Sequence, residues 1–196
     1  MMTASSALDL ALEDRTGLPD TLAYLRADYP KEAWRAHHNF GQLTAFWLDT
    51  HRTLREHGRE LGQATQAFRE GQWDAVGFRA FFVPRLNQFL QHLDGHHRIE
   101  DEVYFPKFRA LDRRMVAGFD LLEQDHELIH EALMRSVDSG RALLRAMTRS
   151  ADLTKRAADT YAAEADRLLG LLLRHLADEE DLVVPAMLHH GERPVS

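Results

Sequence analysis

Two stretches of this sequence carry the same arrangement of side chains able to hold a metal. From His96 the chain reads His-His-Arg-Ile-Glu-Asp-Glu-Val-Tyr-Phe-Pro, and from His175 it reads His-Leu-Ala-Asp-Glu-Glu-Asp-Leu-Val-Val-Pro. In both, a histidine is followed four residues later by a glutamate, then by a second acid, a short apolar run and a proline. On a helix, residues i and i+4 lie on one face, a turn apart. His96 with Glu100, and His175 with Glu179, therefore form imidazole–carboxylate pairs that can each grip one metal centre. His126 and His130 share the spacing. His51 sits within an apolar stripe, where an unpaired imidazole is costly to desolvate.

The register of the first copy has a competitor, because His97 and Asp101 form the adjacent i,i+4 pair, turned by about 100°. Measuring back from the proline in both copies selects His96 and Glu100, with His92, one turn earlier, as a reserve ligand. The expected metal set is therefore His51, His96, Glu100, His126, His130, His175 and Glu179. Two octahedral ions offer up to twelve positions. Two bridging carboxylates, five imidazoles and a bridging oxo or hydroxo group leave one position open for a small ligand. Ligation by nitrogen and oxygen without thiolate suits Fe, with Mn or Zn as substitutes. Asp101, Glu102, Glu180 and Asp181 read as supporting or surface acids, with Glu102 or Asp181 able to orient a ligand imidazole. His37, His38, His57, His189 and His190 read as idle surface histidines, and the pattern leaves open whether Tyr104 or Tyr161 reaches the metals.

These residues need helices to bring them together. Residues 33 to 69 place Leu43, Trp47, His51, Leu54 and Leu61 at the spacing of one inward face. Asp74 is a natural N-cap for a second helix reaching about Phe108, with Pro84 expected to kink it. A third runs from about Met115 to Thr148, with bending expected at Gly140. A fourth restarts after Ser150 and runs from about Leu153 to Leu188, ending before Gly191 and Pro194. Short connections between long helices imply antiparallel neighbours and an all-α, up-down-up-down four-helix bundle. Residues 1–30 read as an N-terminal extension, with a short helix from Leu18 to Asp28 inside a strap across the main body. The bundle then takes residues 31–191, and 192–196 form a tail.

Bulk properties agree. The chain has 196 residues, 12 histidines, no cysteine and a formal net charge of −7. The charge argues against a general nucleic-acid surface, and the missing cysteine removes disulfides, thiolate nucleophiles and iron–sulfur clusters. No run approaches the roughly 20 apolar residues that span a bilayer, and the start Met-Met-Thr-Ala-Ser-Ser is no secretory signal. A cytoplasmic protein is the expectation.

The sequence resembles the hemerythrin-like, HHE cation-binding proteins over about residues 38 to 190. The resemblance rests on His96-His97-x-x-Glu100-Asp101 with Tyr104-Phe105-Pro106, on His175-Leu-x-x-Glu179-Glu180 with Pro185, on Trp47 to Arg52, and on Asp125-His126 to His130. It implies a four-helix bundle with a non-haem di-iron site. Glu100 and Glu179 would bridge the irons, and the histidines would divide three against two. O2 would take the open position. The oxygen-carrying hemerythrins have a longer spacing and an aspartate in the last helix, whereas this chain has His-x-x-x-Glu there, so the implied ligand widens to O2, NO or peroxide. Sensing, storage or scavenging of such a ligand is the first reading. A di-iron peroxidase, oxidase or iron-donating repair protein is the alternative, as is a structural bundle holding another metal.

Overall fold

The computed structural model describes residues 10–196. Leu8 and the residues around it, part of the expected extension, lie outside the described residues. The described chain is helical, without a strand, and no helix is long and apolar enough to cross a membrane. Five α-helices follow a short 3-10 turn at Lys31–Ala36: α1 (Gln42–Arg69), α2 (Ala75–Ile99), α3 (Phe105–Leu111), α4 (Val116–Ala146) and α5 (Ala151–His190). Helix α1 packs against α2 and α5, and α4 packs against α5 and α2.

The expected second helix is thus divided. Between α2 and α3 the chain makes a π turn over Glu100–Tyr104, in which the Phe105 N–H reaches back five residues to the Glu100 carbonyl. Pro106, which has no N–H to return to the carbonyl four residues earlier, follows directly on this turn. One residue more than an α-turn is accommodated there, a device frequent at functional sites. Pro185, at the same offset in the second copy, sits inside α5 without interrupting it. Nor does Pro84 break α2. Helix α4 runs through Gly140, where a Cβ would come within 3.2 Å of Leu86 Cδ2 and 3.5 Å of the Tyr161 ring. The glycine serves close helix approach there, and α4 does not end at it.

Side chains fix the helix starts. Asp74 accepts from the Gly77 N–H at 2.7 Å and Ser150 from the Leu153 N–H at 3.3 Å. Helix α1 has no local cap, and Glu192 supplies one from the far end of the chain. Its carboxylate accepts from the N–H groups of Gly41, Leu43 and Thr44 at 3.0, 3.1 and 2.8 Å, and from the Thr44 hydroxyl at 2.6 Å. An anion at a helix N-terminus also meets the favourable end of the helix dipole. A Cβ on residue 41 would lie 2.3 Å from a Glu192 oxygen, so glycine is what admits the carboxylate.

The core has two main apolar layers. One holds Leu54, Phe78, Phe82, Leu93, Ile129, Tyr161 and Leu172. The other holds Trp47, Phe105, Phe108, Phe119, Leu122 and Leu182. Helices α1, α4 and α5 pass from one layer to the other, α2 lies in the first and α3 in the second, and histidines stand where the layers meet: His51 on α1, His96 and His97 on α2, His126 on α4 and His175 on α5. A polar stratum is enclosed between two apolar ones.

Residues 10–30 lie on this body by burying Leu12, Leu18, Ala23 and Leu25. The expected helix from Leu18 to Asp28 is a succession of turns instead, such as the Ala23 N–H to Pro19 O and Tyr29 N–H to Leu25 O bonds. Positions 18, 23 and 25 do not share a face of a regular helix, so burying all three requires an irregular path. Arg15 anchors the segment. Its guanidinium donates to Asp178 Oδ2 at 2.7 Å and to both oxygens of Asp125, one at 2.9 Å. The Leu18 N–H reaches the other oxygen of Asp178 at 3.1 Å.

Candidate metal centre

The polar stratum gathers two groups of possible ligands. His51, His96, Glu100 and Glu179 form one; His97, His126 and His175 form the other. Within each, ligand atoms lie within 4.8 Å of one another. The glutamates connect the groups. Glu100 places Oε1 3.1 Å from His96 Nδ1 and Oε2 3.6 Å from His126 Nε2. Glu179 places Oε1 3.4 Å from His51 Nε2 and Oε2 3.5 Å from His175 Nε2. Each carboxylate thus turns one oxygen towards each group, as a bridge between two ions would.

Of the seven residues expected at the metals, the structure brings together His51, His96, Glu100, His126, His175 and Glu179. His130 it does not: the side chain is exposed and belongs to neither group. The inward face of α4 runs through Leu122, His126, Ile129 and Leu133, and position 130 stands one residue off it. His97 joins instead. Adjacent residues on a helix diverge by about 100°, which puts His96 towards one group and His97 towards the other. His92 belongs to neither group. Tyr161 is buried in the apolar layer near Phe82, and Tyr104 lines a cavity that reaches Glu100.

Carboxylates hold the outer nitrogens of three imidazoles. His126 Nδ1 lies 2.8 Å from Asp101 Oδ1, His51 Nδ1 3.0 Å from Glu180 Oε1, and His175 Nδ1 3.4 Å from Asp125 Oδ2. Such a partner fixes the tautomer and leaves Nε2 for a metal. Trp47 Nε1–H donates to Glu179 Oε1 at 2.7 Å. Glu102 is exposed, and Asp181 pairs with Arg26 and Lys31 at 3.2 and 2.8 Å, so neither orients a ligand. Asp125, Arg15 and the Trp47 N–H are the supporting groups that sequence reasoning did not assign. Asp125 carried a signal as the neighbour of His126, while Arg15 carried none.

The atoms turned inward are left without partners. His51 Nε2, His96 Nε2, His97 Nε2, both oxygens of Glu100 and Glu179 Oε2 are buried and make no hydrogen bond. Buried polar atoms are otherwise nearly always paired, and among the described residues six of the ten unpaired ones belong to the two ligand groups. His126 Nε2 and His175 Nε2 face each other at 3.1 Å, an approach that suits two lone pairs directed at one cation. The residues fit a pair of metal ions.

Protonation follows the same logic. Burial holds His96, His97 and His126 below the ordinary imidazole value. Burial also opposes charge on His51 and His175, but Glu179 with Glu180, and Asp125 with Glu179, outweigh it and raise both, His175 to about 9. Burial and the neighbouring Glu179 push the Glu100 carboxyl well up. Burial works against the Glu179 charge too, yet His51 and His175 carry it well below the usual range. His51, His175 and Glu100, the groups held protonated here, would release those protons to a bound metal.

The sequence matches the family described as hemerythrin HHE cation binding domain over residues 42–187. The chain belongs to that family. A search of curated proteins found no match, and a search of solved structures found none.

Proposed function

We propose that this protein is a non-haem di-iron protein that binds O2 or a related small molecule, NO or peroxide, for sensing, storage or scavenging. The observation that carries the reading is the pair of glutamates, Glu100 and Glu179, each turned towards both histidine groups. His51 and His96 would hold one iron and His97, His126 and His175 the other, with the glutamates shared. Such a pair of irons supplies a redox-active centre that can bind a small ligand at an open position. The packing of the long helices supports an up-down-up-down bundle in which α2, the π turn and α3 count as one segment.

The chain's own residues define the approach. A cavity of about 280 Å³ lined by Phe46, Trp47, Ile99 and Tyr104 leads to His96 and Glu100. Its largely apolar walls suit a small neutral molecule. Trp47 keeps Glu179 oriented through its indole N–H, and Asp101, Asp125 and Glu180 keep the imidazoles from rotating.

The test is metal content by mass spectrometry after anaerobic reconstitution with ferrous iron, followed by optical spectra before and after air. Two irons per chain, with charge-transfer bands that appear in air and fade on deoxygenation, are the expected result. Fewer than one metal per chain refutes the reading. The enzymatic alternative has one support, the oxidisable iron pair itself, and turnover of peroxide above that of free iron separates it from binding.

A further inference from the structure

A second cavity opens on the opposite side of α2 from the apolar one, and its chemistry is different. It has a volume of about 610 Å³ and lies between the end of α2 with the π turn and α4. Asp94, Asp101 and Glu102 line it from one side, and Glu123, Glu127 and Glu131 from the other; Arg98 is its one lysine or arginine. Asp101 is engaged by His126, Glu123 by Arg109 and Glu131 by Arg135. Among the described residues Asp94, Glu102 and Glu127 enter no ion pair.

The inner wall includes His97 and His126. His97 is 8% exposed and its Nε2 is one of the orphaned atoms. The two rings stack with centroids 4.0 Å apart. His130 also lines the cavity, exposed and one helical turn along α4 from His126. An acidic funnel therefore leads past an unattached imidazole to a buried ligand that lacks a partner.

We infer that this cavity is the route by which a hydrated divalent cation enters the centre, with His130 as a transient ligand on the way. The inference rests on the metal-centre reading and adds to it the direction of loading. A water takes about 30 Å³ in the liquid, so an ion with six waters needs roughly 200 Å³, which the cavity accommodates. A cleft lined by one sign of charge raises the local concentration of counter-ions and their on-rate by about 10- to 1,000-fold. The apolar cavity offers a dication no such compensation for lost hydration. The molecule then has separate approaches, a charged one for the ion and an apolar one for the small neutral ligand.

The experiment is stopped-flow loading of the metal-free full-length protein with Co²⁺, read by visible absorbance, with final stoichiometry by mass spectrometry. The triple variant Asp94→Asn, Glu102→Gln, Glu127→Gln should load about 10-fold more slowly at low salt, with a flatter dependence on ionic strength. It should still reach the wild-type stoichiometry and spectrum. His130→Ala should also slow loading and leave the final spectrum unchanged. A control pair, Glu70→Gln with Asp152→Asn, many turns away along α1 and α5, should load at the wild-type rate. Two Co²⁺ per chain with unchanged rate and salt dependence in the triple variant overturns the entry route and leaves the metal centre standing. Loss of one Co²⁺ in His130→Ala overturns its transient role. Wild-type protein that binds no Co²⁺ overturns both readings.

Discussion

Replacing Arg15 with methionine would remove the cation that Asp125 and Asp178 share inside the protein, leaving Asp125 only the His175 imidazole. The side chains of Arg15, Asp125 and Asp178 are 2%, 5% and 3% exposed, so neither carboxylate can turn to water without unfolding part of the strap. Breaking a buried ion pair by deleting one partner costs about 3–5 kcal/mol, because the other charge is left uncompensated. For a chain of this length 1 kcal/mol moves the melting temperature by about 2–4 °C, so a fall of roughly 10 °C is expected. The effect should also reach the metals. Asp125 faces His175 Nδ1 at 3.4 Å, and loss of such a supporting group weakens metal affinity by about 10- to 100-fold. Thermal unfolding followed by circular dichroism, and a Co²⁺ titration, measure the two consequences. A double-mutant cycle of Arg15→Met with Asp178→Asn should show strong non-additivity, since the second change removes a charge that the first had stranded. A loss of stability below about 1 kcal/mol, with unchanged Co²⁺ affinity, would refute the reasoning: the strap would then be an ornament on a self-sufficient bundle.

Glu179→Ala removes oxygens turned towards both histidine groups, and metal content should fall from two ions per chain to one or none, whereas His57→Ala should keep both; mass spectrometry decides. Phe78→Ala, in the apolar layer where Phe78 stacks on Phe68 and Phe82 at 4.2 and 4.8 Å, should cost about 3–5 kcal/mol in denaturant unfolding with metal stoichiometry unchanged. Glu192→Ala uncaps α1 and should cost about 1–2 kcal/mol at neutral pH. Burial works against the Glu192 charge, but the Thr44 hydroxyl and the N–H groups of Thr44, Leu43 and Gly41 outweigh it and hold the carboxyl below its ordinary value of 4.5. The contribution is therefore present above about pH 4.5 and is lost as the pH falls further. Melting temperatures of wild type and variant should converge in acid, and a constant gap down to pH 3 would exclude the capping role.

Much of this architecture could be read from residue order. His51, His96, His175 and Glu179 stand on 3- and 4-residue stripes whose other members are apolar, and such stripes specify their own direction. Measuring back from the proline selects His96 over His97, yet a centre with two ligand groups admits both neighbours, which diverge by about 100°. His130 was preferred for its distance from His126, yet the face of α4 is set by Ile129 and Leu133. Pro106 is visible in the sequence but the π turn before it is not, since Pro185 at the same offset leaves α5 intact. Arg15 had no local signal, since its partners lie 110 and 163 residues away, and no periodicity encodes a polar contact at that range.

Those separations have a consequence for how the molecule is made. At a synthesis rate of about 5–20 residues per second, the partner of Arg15 at position 178 leaves the ribosome roughly 10–30 s after Arg15 itself. Glu192, which caps α1, comes later still. The segment holding Leu12, Leu18 and Leu25 therefore lacks the part of its cover that α5 supplies until that helix is made. A chain stopped short of residue 178 keeps the Arg15–Asp125 pair but lacks Asp178, and one stopped short of 192 leaves α1 uncapped. Full closure of the strap thus waits on α5, and a nascent chain leaves part of an apolar segment unburied until that helix has emerged.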